Sequence, residues 1–292
     1  MRKSIFAALF AALIFVSPLS ASRVFSSAST HLDVTGSSVN VTGTQLTLAA
    51  WVMYTSLPNS STYPGIITKN DPGGNKHQFS LQAQDSTGQF TMVTGNGGST
   101  YGTSPICSTN PSTGVWYHVA ATLSGTTQTV YLNGSYCNSN SSGTSMGSNG
   151  ERLCIGEANN GGDNCTNATR YLQGRIAEAA VWNVALTANE IAALASGVTP
   201  PNAHGGTSLV GYWPLYGVDA PEPDLSGNGS SATVTGATAG NHIGGPGPGI
   251  LQAAGDPFGD GNCRRTGGGW AIDDRYCLQF ARPVGPGKSN EC

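Results

Sequence analysis

Apolar residues along this chain recur mostly at every second position, and only one stretch changes to a helical period. Across residues 46–54 (LTLAAWVMY), Leu46, Leu48, Ala50 and Val52 fall on one face, with Trp51 and Met53 on the other. Two apolar faces predict a strand in the middle of a sheet, covered on both sides. Phe79, Leu81 and Ala83 alternate with polar neighbours, as do Phe90 and Met92, so residues 77–84 and 89–94 read as a half-buried hairpin around Ser86-Thr87-Gly88. A second hairpin is read in residues 116–123 and 128–132, and Asn133-Gly134 supplies the left-handed residues a tight turn demands. Residues 65–69, 152–156, 208–215 and 232–234 give shorter strands. Between 23 and 45 the apolar residues come in brief snatches (Val24, Phe25, Leu32, Val34), which suit an edge strand and a connecting loop.

The chain is organised around residues 171–194 (YLQGRIAEAAVWNVALTANEIAAL). An apolar run through Ile176, Ala179, Ala180, Val181 and Trp182 is long enough for a buried strand, and the period then switches to helix. Thr187 and Glu190 stand at the spacing of a capping box, Ile191 and Leu194 form a short apolar stripe, and Gly197 offers a stop. Thr199-Pro200-Pro201 then breaks the chain. About a dozen short strands and one helix predict an all-β fold, a two-sheet antiparallel jelly-roll sandwich.

The ends differ from this body. Arg2 and Lys3 precede twelve apolar residues, Ile5 to Val16, and Ala21 is a plausible cleavage point, so residues 1–21 are read as a signal peptide. The jelly-roll domain is expected over 22–240, a Gly/Pro linker over 241–249 and a Cys-containing extension over 250–292. Cleavage would leave 11 basic against 16 acidic residues, a formal charge of −5, with no basic patch to track a nucleic-acid backbone. All seven cysteines follow the signal, and none shows the CxxC spacing of a zinc or redox site. In an exported chain they read as disulfides, with the expected pairs Cys107–Cys137, Cys154–Cys165 and Cys263–Cys277. Cys292 is left over, either as an intermolecular link or as a free end.

Several segments in order carry a family likeness: Trp116-Tyr117-His118-Val119-Ala120, Tyr131-Leu132-Asn133-Gly134, Gly174-Arg175-Ile176 through Val181-Trp182-Asn183, and Ala185-Leu186-Thr187 with Glu190-Ile191. They resemble the motifs of laminin-G-like, concanavalin A-like jelly-roll domains, over roughly residues 23–240. The resemblance implies two antiparallel sheets and a role in binding carbohydrate or protein outside the cell. Two departures stand out. The acidic pair common in the family's penultimate strand is here Ala177-Glu178, and the Trp-Pro-Leu and Asp-x-Ser-Gly-Asn-Gly motifs follow the helix instead of opening the domain, so the order looks permuted.

Glycan cleavage on such a fold needs two carboxylates facing one bond. No strand here carries acids at alternate positions, and Asp273-Asp274 are neighbours that would point to opposite faces, so no catalysis is expected. His118 lies mid-strand and reads as structural. Asp224 and Asn228 on a Gly-rich turn, helped by Glu178 if the permuted segment folds back, form one reading as a structural calcium site; an Asx-turn at Asp224 with no metal is the other. For sugar binding, the candidates are Tyr63, Tyr101 and Tyr136, each in a polar loop with Asn or Gln nearby, either as stacking platforms or as plugs over the core edge. Trp51, Trp116, Trp182 and Trp213 read as core. The function expected is a secreted module that binds a glycan or an extracellular protein. The alternative is an adhesive surface subunit that self-associates through residues 250–292 or Cys292.

Overall fold

In the computed structural model the described residues are 21–35, 38–59, 62–71, 76–158, 165–166, 169–217 and 219–241. Outside them lie the expected signal segment apart from Ala21, the expected linker apart from Asn241, and Cys263, Cys277 and Cys292. The first half of the fold comprises β1 (Ala21–Phe25), β2 (His31–Val34), β3 (Gln45–Tyr54), β4 (Gly65–Asp71), β5 (Lys76–Ala83), β6 (Phe90–Thr94) and β7 (Trp116–Ser124). The second half comprises β8 (Thr127–Leu132), β9 (Ser135–Asn140), β10 (Leu153–Ile155), β11 (Gly174–Trp182), α1 (Ala188–Ala195), α2 (Pro200–Ala203), β12 (Leu209–Trp213), β13 (Thr233–Thr235) and β14 (Thr238–Asn241).

The doubly apolar strand β3 sits between β11 and β7 in an eight-stranded sheet ordered β14-β1-β11-β3-β7-β8-β9, with β12 also on β11. The second sheet is ordered β13-β2-β10-β4-β5-β6, and every pairing in both sheets is antiparallel. Leu46, Leu48, Ala50, Val52 and Tyr54 from β3 meet Leu32, Ile67, Phe79, Leu81, Phe90 and Met92 between the sheets. The other face of β3 is covered differently. Ala49, with Ala120 and Ala180 beside it, lies under Ile191 and Leu194 of α1, small side chains letting the helix come close.

The strand-to-helix segment folds as its pattern requires. Thr187 accepts the N–H of Glu190, and the Glu190 carboxylate accepts the N–H of Thr187 at 2.7 Å, which satisfies donors that the first turn leaves open. Gly197 ends the element with φ 99°. Asn133 and Gly134 (φ 50° and 79°) join β8 to β9 in a two-residue turn.

Four features depart from the sequence expectations. Residues 23–34 form not an edge strand and a loop but two interior strands, because β14 pairs outside β1 and β13 outside β2. The polar run after Gly134 contains β9, held by the turn. Pro200 and Pro201 start the short helix α2, where a missing N–H costs nothing, so the described residues hold two α-helices. All four expected tryptophans are buried, but only Trp213 lies between the sheets; Trp182 packs with α1, and Trp51 and Trp116 share a cluster with Met53 and Ala177 on the outer face of the larger sheet.

Cys107 is bonded to Cys137 and Cys154 to Cys165. The first bond ties the loop after β6 to β9, and the second ties the approach to β11 to β10. No helix among the described residues is long and apolar enough to cross a membrane.

Candidate functional site

Two groups of polar side chains stand out, and they differ in how far their hydrogen-bonding capacity is used. The first gathers residues distant in sequence. Tyr63 lies just ahead of β4, and Arg170 precedes β11, its carbonyl accepting the N–H groups of Gly65 (3.1 Å) and Ala158 (3.2 Å). The Arg170 guanidinium stands over the Tyr63 ring, 5.3 Å from its centroid. His77 on β5 bonds its N–H to Gly98 and its carbonyl to the N–H of Gly97, and its ring lies against Tyr101 with centroids 4.3 Å apart. A side chain at position 95 would meet the His77 Cβ at 2.6 Å, so Gly95 is what lets this loop lie against β5.

These groups sense one another. Burial lowers the Arg170 pKa, and the Tyr63 and Tyr101 phenols partly offset that. Burial also lowers the His77 pKa, with the Arg170 charge adding to the drop and Asp71 opposing it. Among the described residues no carboxylate pairs with Arg170, and the buried Nδ1 of His77 has no hydrogen-bond partner. Tyr101 is 57% exposed. Tyr136, 62% exposed, stands apart on β9 of the other sheet, its hydroxyl 3.0 Å from Ser139 Oγ. The structure therefore sets Tyr63 against Arg170 and Tyr101 against His77, and leaves Tyr136 apart. Arg170 and His77 were not visible as site residues in the sequence, because only pairing of β4 with β5 and the returning loop before β11 makes them neighbours.

The second group surrounds Tyr212 on β12. One edge of β11 pairs first with β1 and then with β12, and at that changeover the register against β3 shifts between Ala177 and Ala180. Glu178 is the bulged residue, at φ 54°, with its N–H bonded to Pro214 O. Its carboxyl accepts a hydrogen bond from the Tyr212 hydroxyl. Burial pushes the Glu178 pKa up to about 8, against the pull of the Tyr212 bond and with the Glu222 charge adding to the rise. Glu222 in turn accepts Arg23 Nε at 2.9 Å, Arg23 Nη2 at 2.7 Å and the N–H of Tyr216 at 3.1 Å.

Asp224 holds the opposite end of Tyr212. Its Oδ1 accepts the N–H groups of Tyr212 (3.0 Å) and Ser226 (2.9 Å), and Oδ2 accepts that of Ser230 (2.9 Å). Asn228 Nδ2 donates to Leu209 O, Val210 O and Ser226 Oγ. This is an Asx-turn clamped onto β12. Glu178 holds the phenol end of Tyr212 while Asp224 holds its N–H. Among the described residues, no three His, Cys, Asp or Glu side chains form a metal-holding group.

Glu178 also lines a small pocket with Trp51, His118, Leu194 and Pro200. His118 meets Trp51 edge-on at 5.3 Å, and burial lowers its pKa to about 3, so it is a neutral imidazole fixed in the sheet.

Residues 26–192 match the family model described as the concanavalin A-like lectin/glucanases superfamily. The chain belongs to that superfamily. The match ends within α1, yet β12, β13 and β14 beyond it complete both sheets of the superfamily fold. Among solved structures, a candidate carbohydrate-binding protein from Bacteroides ovatus is similar at 19% identity and TM-score 0.58, covering 79% of this chain and 62% of that one. This chain thus spans less than two thirds of that protein. The heptameric SAP-like pentraxin of Limulus polyphemus is similar at 18% identity and TM-score 0.52, covering 76% of this chain and 95% of the pentraxin. At these identities the likeness is one of fold. A search of curated proteins by sequence found no match.

Proposed function

We propose that this protein is an exported, non-catalytic module that binds carbohydrate through the cluster of Tyr63, Tyr101, His77 and Arg170. The observation that carries this reading is a partly open aromatic and cationic group whose polar capacity is not spent within the fold. Tyrosine rings offer flat apolar faces for the C–H side of a sugar, while a guanidinium and neighbouring hydroxyls bond its oxygens. Two buried acids, Glu178 and Glu222, are bonded to Tyr212 and to Arg23, which favours binding over hydrolysis. Two disulfides favour an oxidising, extracellular setting, and the Bacteroides ovatus protein of like fold is described as carbohydrate-binding.

A glycan array probed with the full chain and with Tyr101→Ala tests the proposal. Retention of at least one sugar class by the wild type and its loss in the variant is expected. An array on which the wild type retains nothing would overturn it.

A further inference from the structure

Resting on that reading, we infer that the site takes an acidic sugar, one carrying a single carboxylate per recognised residue, and that Arg170 is the residue that anchors the carboxylate. Arg170 is half-buried, yet among the described residues its guanidinium has only a ring beneath it, the Tyr63 face at 5.3 Å. A neutral sugar stacked on Tyr63 and Tyr101 would strip more water from this cation without replacing it. A carboxylate would accept two parallel N–H bonds from the guanidinium fork, which is the geometry that makes arginine suited to it.

The surroundings limit the charge to one. His77 beside Tyr101 is lowered by burial and by Arg170, so at neutral pH it adds no second positive charge. Asp71, close enough to act on His77, brings a negative charge to the same end of β4 and β5. A densely sulfated chain needs several cations along its length, and the protein carries 13 basic against 16 acidic residues. One guanidinium over the Tyr63 ring, with the His77–Tyr101 pair near it, fits a uronic or sialic residue better than a polyanion. The contrast with Arg23 supports the assignment: Arg23 is neutralised by Glu222 and has no charge left for a ligand.

The test is a titration of the full chain with oligosaccharides ending in glucuronate, galacturonate or sialate, each beside its methyl ester, which keeps the skeleton and removes the charge. At least one acid should bind about tenfold or more tightly than its ester, the strength expected of a charge-assisted pair. Arg170→Gln should remove the preference, so that the acid and its ester bind equally, and Arg170→Lys, which keeps the charge without the fork, should keep part of it. If every ester binds as well as its acid, or if Arg170→Gln keeps the preference, the carboxylate anchor is wrong while carbohydrate binding stands. If only neutral glycans bind, the anchor is likewise wrong, and if no glycan of any kind binds, the underlying reading fails with it.

Discussion

Arg23 and Arg170 make an instructive pair. Arg23 lies within β1 and Arg170 just ahead of β11. Arg23 is 4% exposed and bonds Glu222 through two nitrogens, with further bonds to the carbonyls of Asp219 and Ala237. Around it, Glu178, Tyr212 and Asp224 continue a network in which each of these groups has a partner. Arg170 is only half-buried, and among the described residues its guanidinium has the Tyr63 ring alone. The same residue types thus serve two ends. Where the donors and acceptors close on one another they hold strands together, and where they stay open they are available to something outside the chain.

Breaking the closed region should cost most. Arg23→Ala would leave Glu222 buried without its cation, and a loss of about 3–5 kcal/mol in urea denaturation is expected, the usual penalty for a stranded buried charge. A loss under about 1 kcal/mol would show that water replaces the guanidinium and that this region is not closed.

The next largest effect is one of pH. Burial raises the Glu178 carboxyl from 4.5 to about 8, so the folded chain keeps a proton that the unfolded chain has lost. The stabilisation from this group is whole below about pH 4.5 and is lost as pH rises to about 8, by at most about 1.4 kcal/mol per pH unit. Denaturation midpoints measured across that window should fall with pH, and Glu178→Gln should flatten the slope. A variant that keeps the full slope would move its source elsewhere.

Asp224→Ala should cost about 2 kcal/mol, because three backbone N–H groups lose their acceptor and only some can turn to water. Smaller still is the expected effect of calcium. With the Asp224 oxygens occupied, melting in millimolar calcium and in chelator should coincide; a clear rise with calcium would mean that the turn opens to bind it.

The closed region was partly legible in the sequence and the open one hardly at all. Thr187 and Glu190 announce the start of α1, and the alternation in residues 46–54 announces a central strand, because both signals lie within a few residues of one another. The two turn residues Asn133-Gly134 likewise mark the point where β9 begins, although the polar composition of β9 hides the strand itself. β14, with Thr, Ala, Gly and Asn, has no apolar pattern to show and exists because β1 offers it an edge. Tyr63 and Tyr101 could be named from their polar loops, but Arg170 and His77 become their neighbours only through pairing of strands remote in sequence. The same separation hid the partners of Glu178. Its carboxyl meets Tyr212 because β12 returns to β11, a contact that no pattern within either strand announces.

The most direct measurement is the melting temperature of Arg170→Met with and without the acidic oligosaccharide that the wild type binds. The variant should melt within a degree or two of the wild type when no sugar is present, since exposed or half-exposed substitutions away from a closed network cost about 0.5 kcal/mol or less. It should also lose the rise in melting temperature that the sugar gives the wild type. A variant that melts well below the wild type without sugar, or that keeps the full rise, would contradict the division between a region that holds the fold and a region that binds.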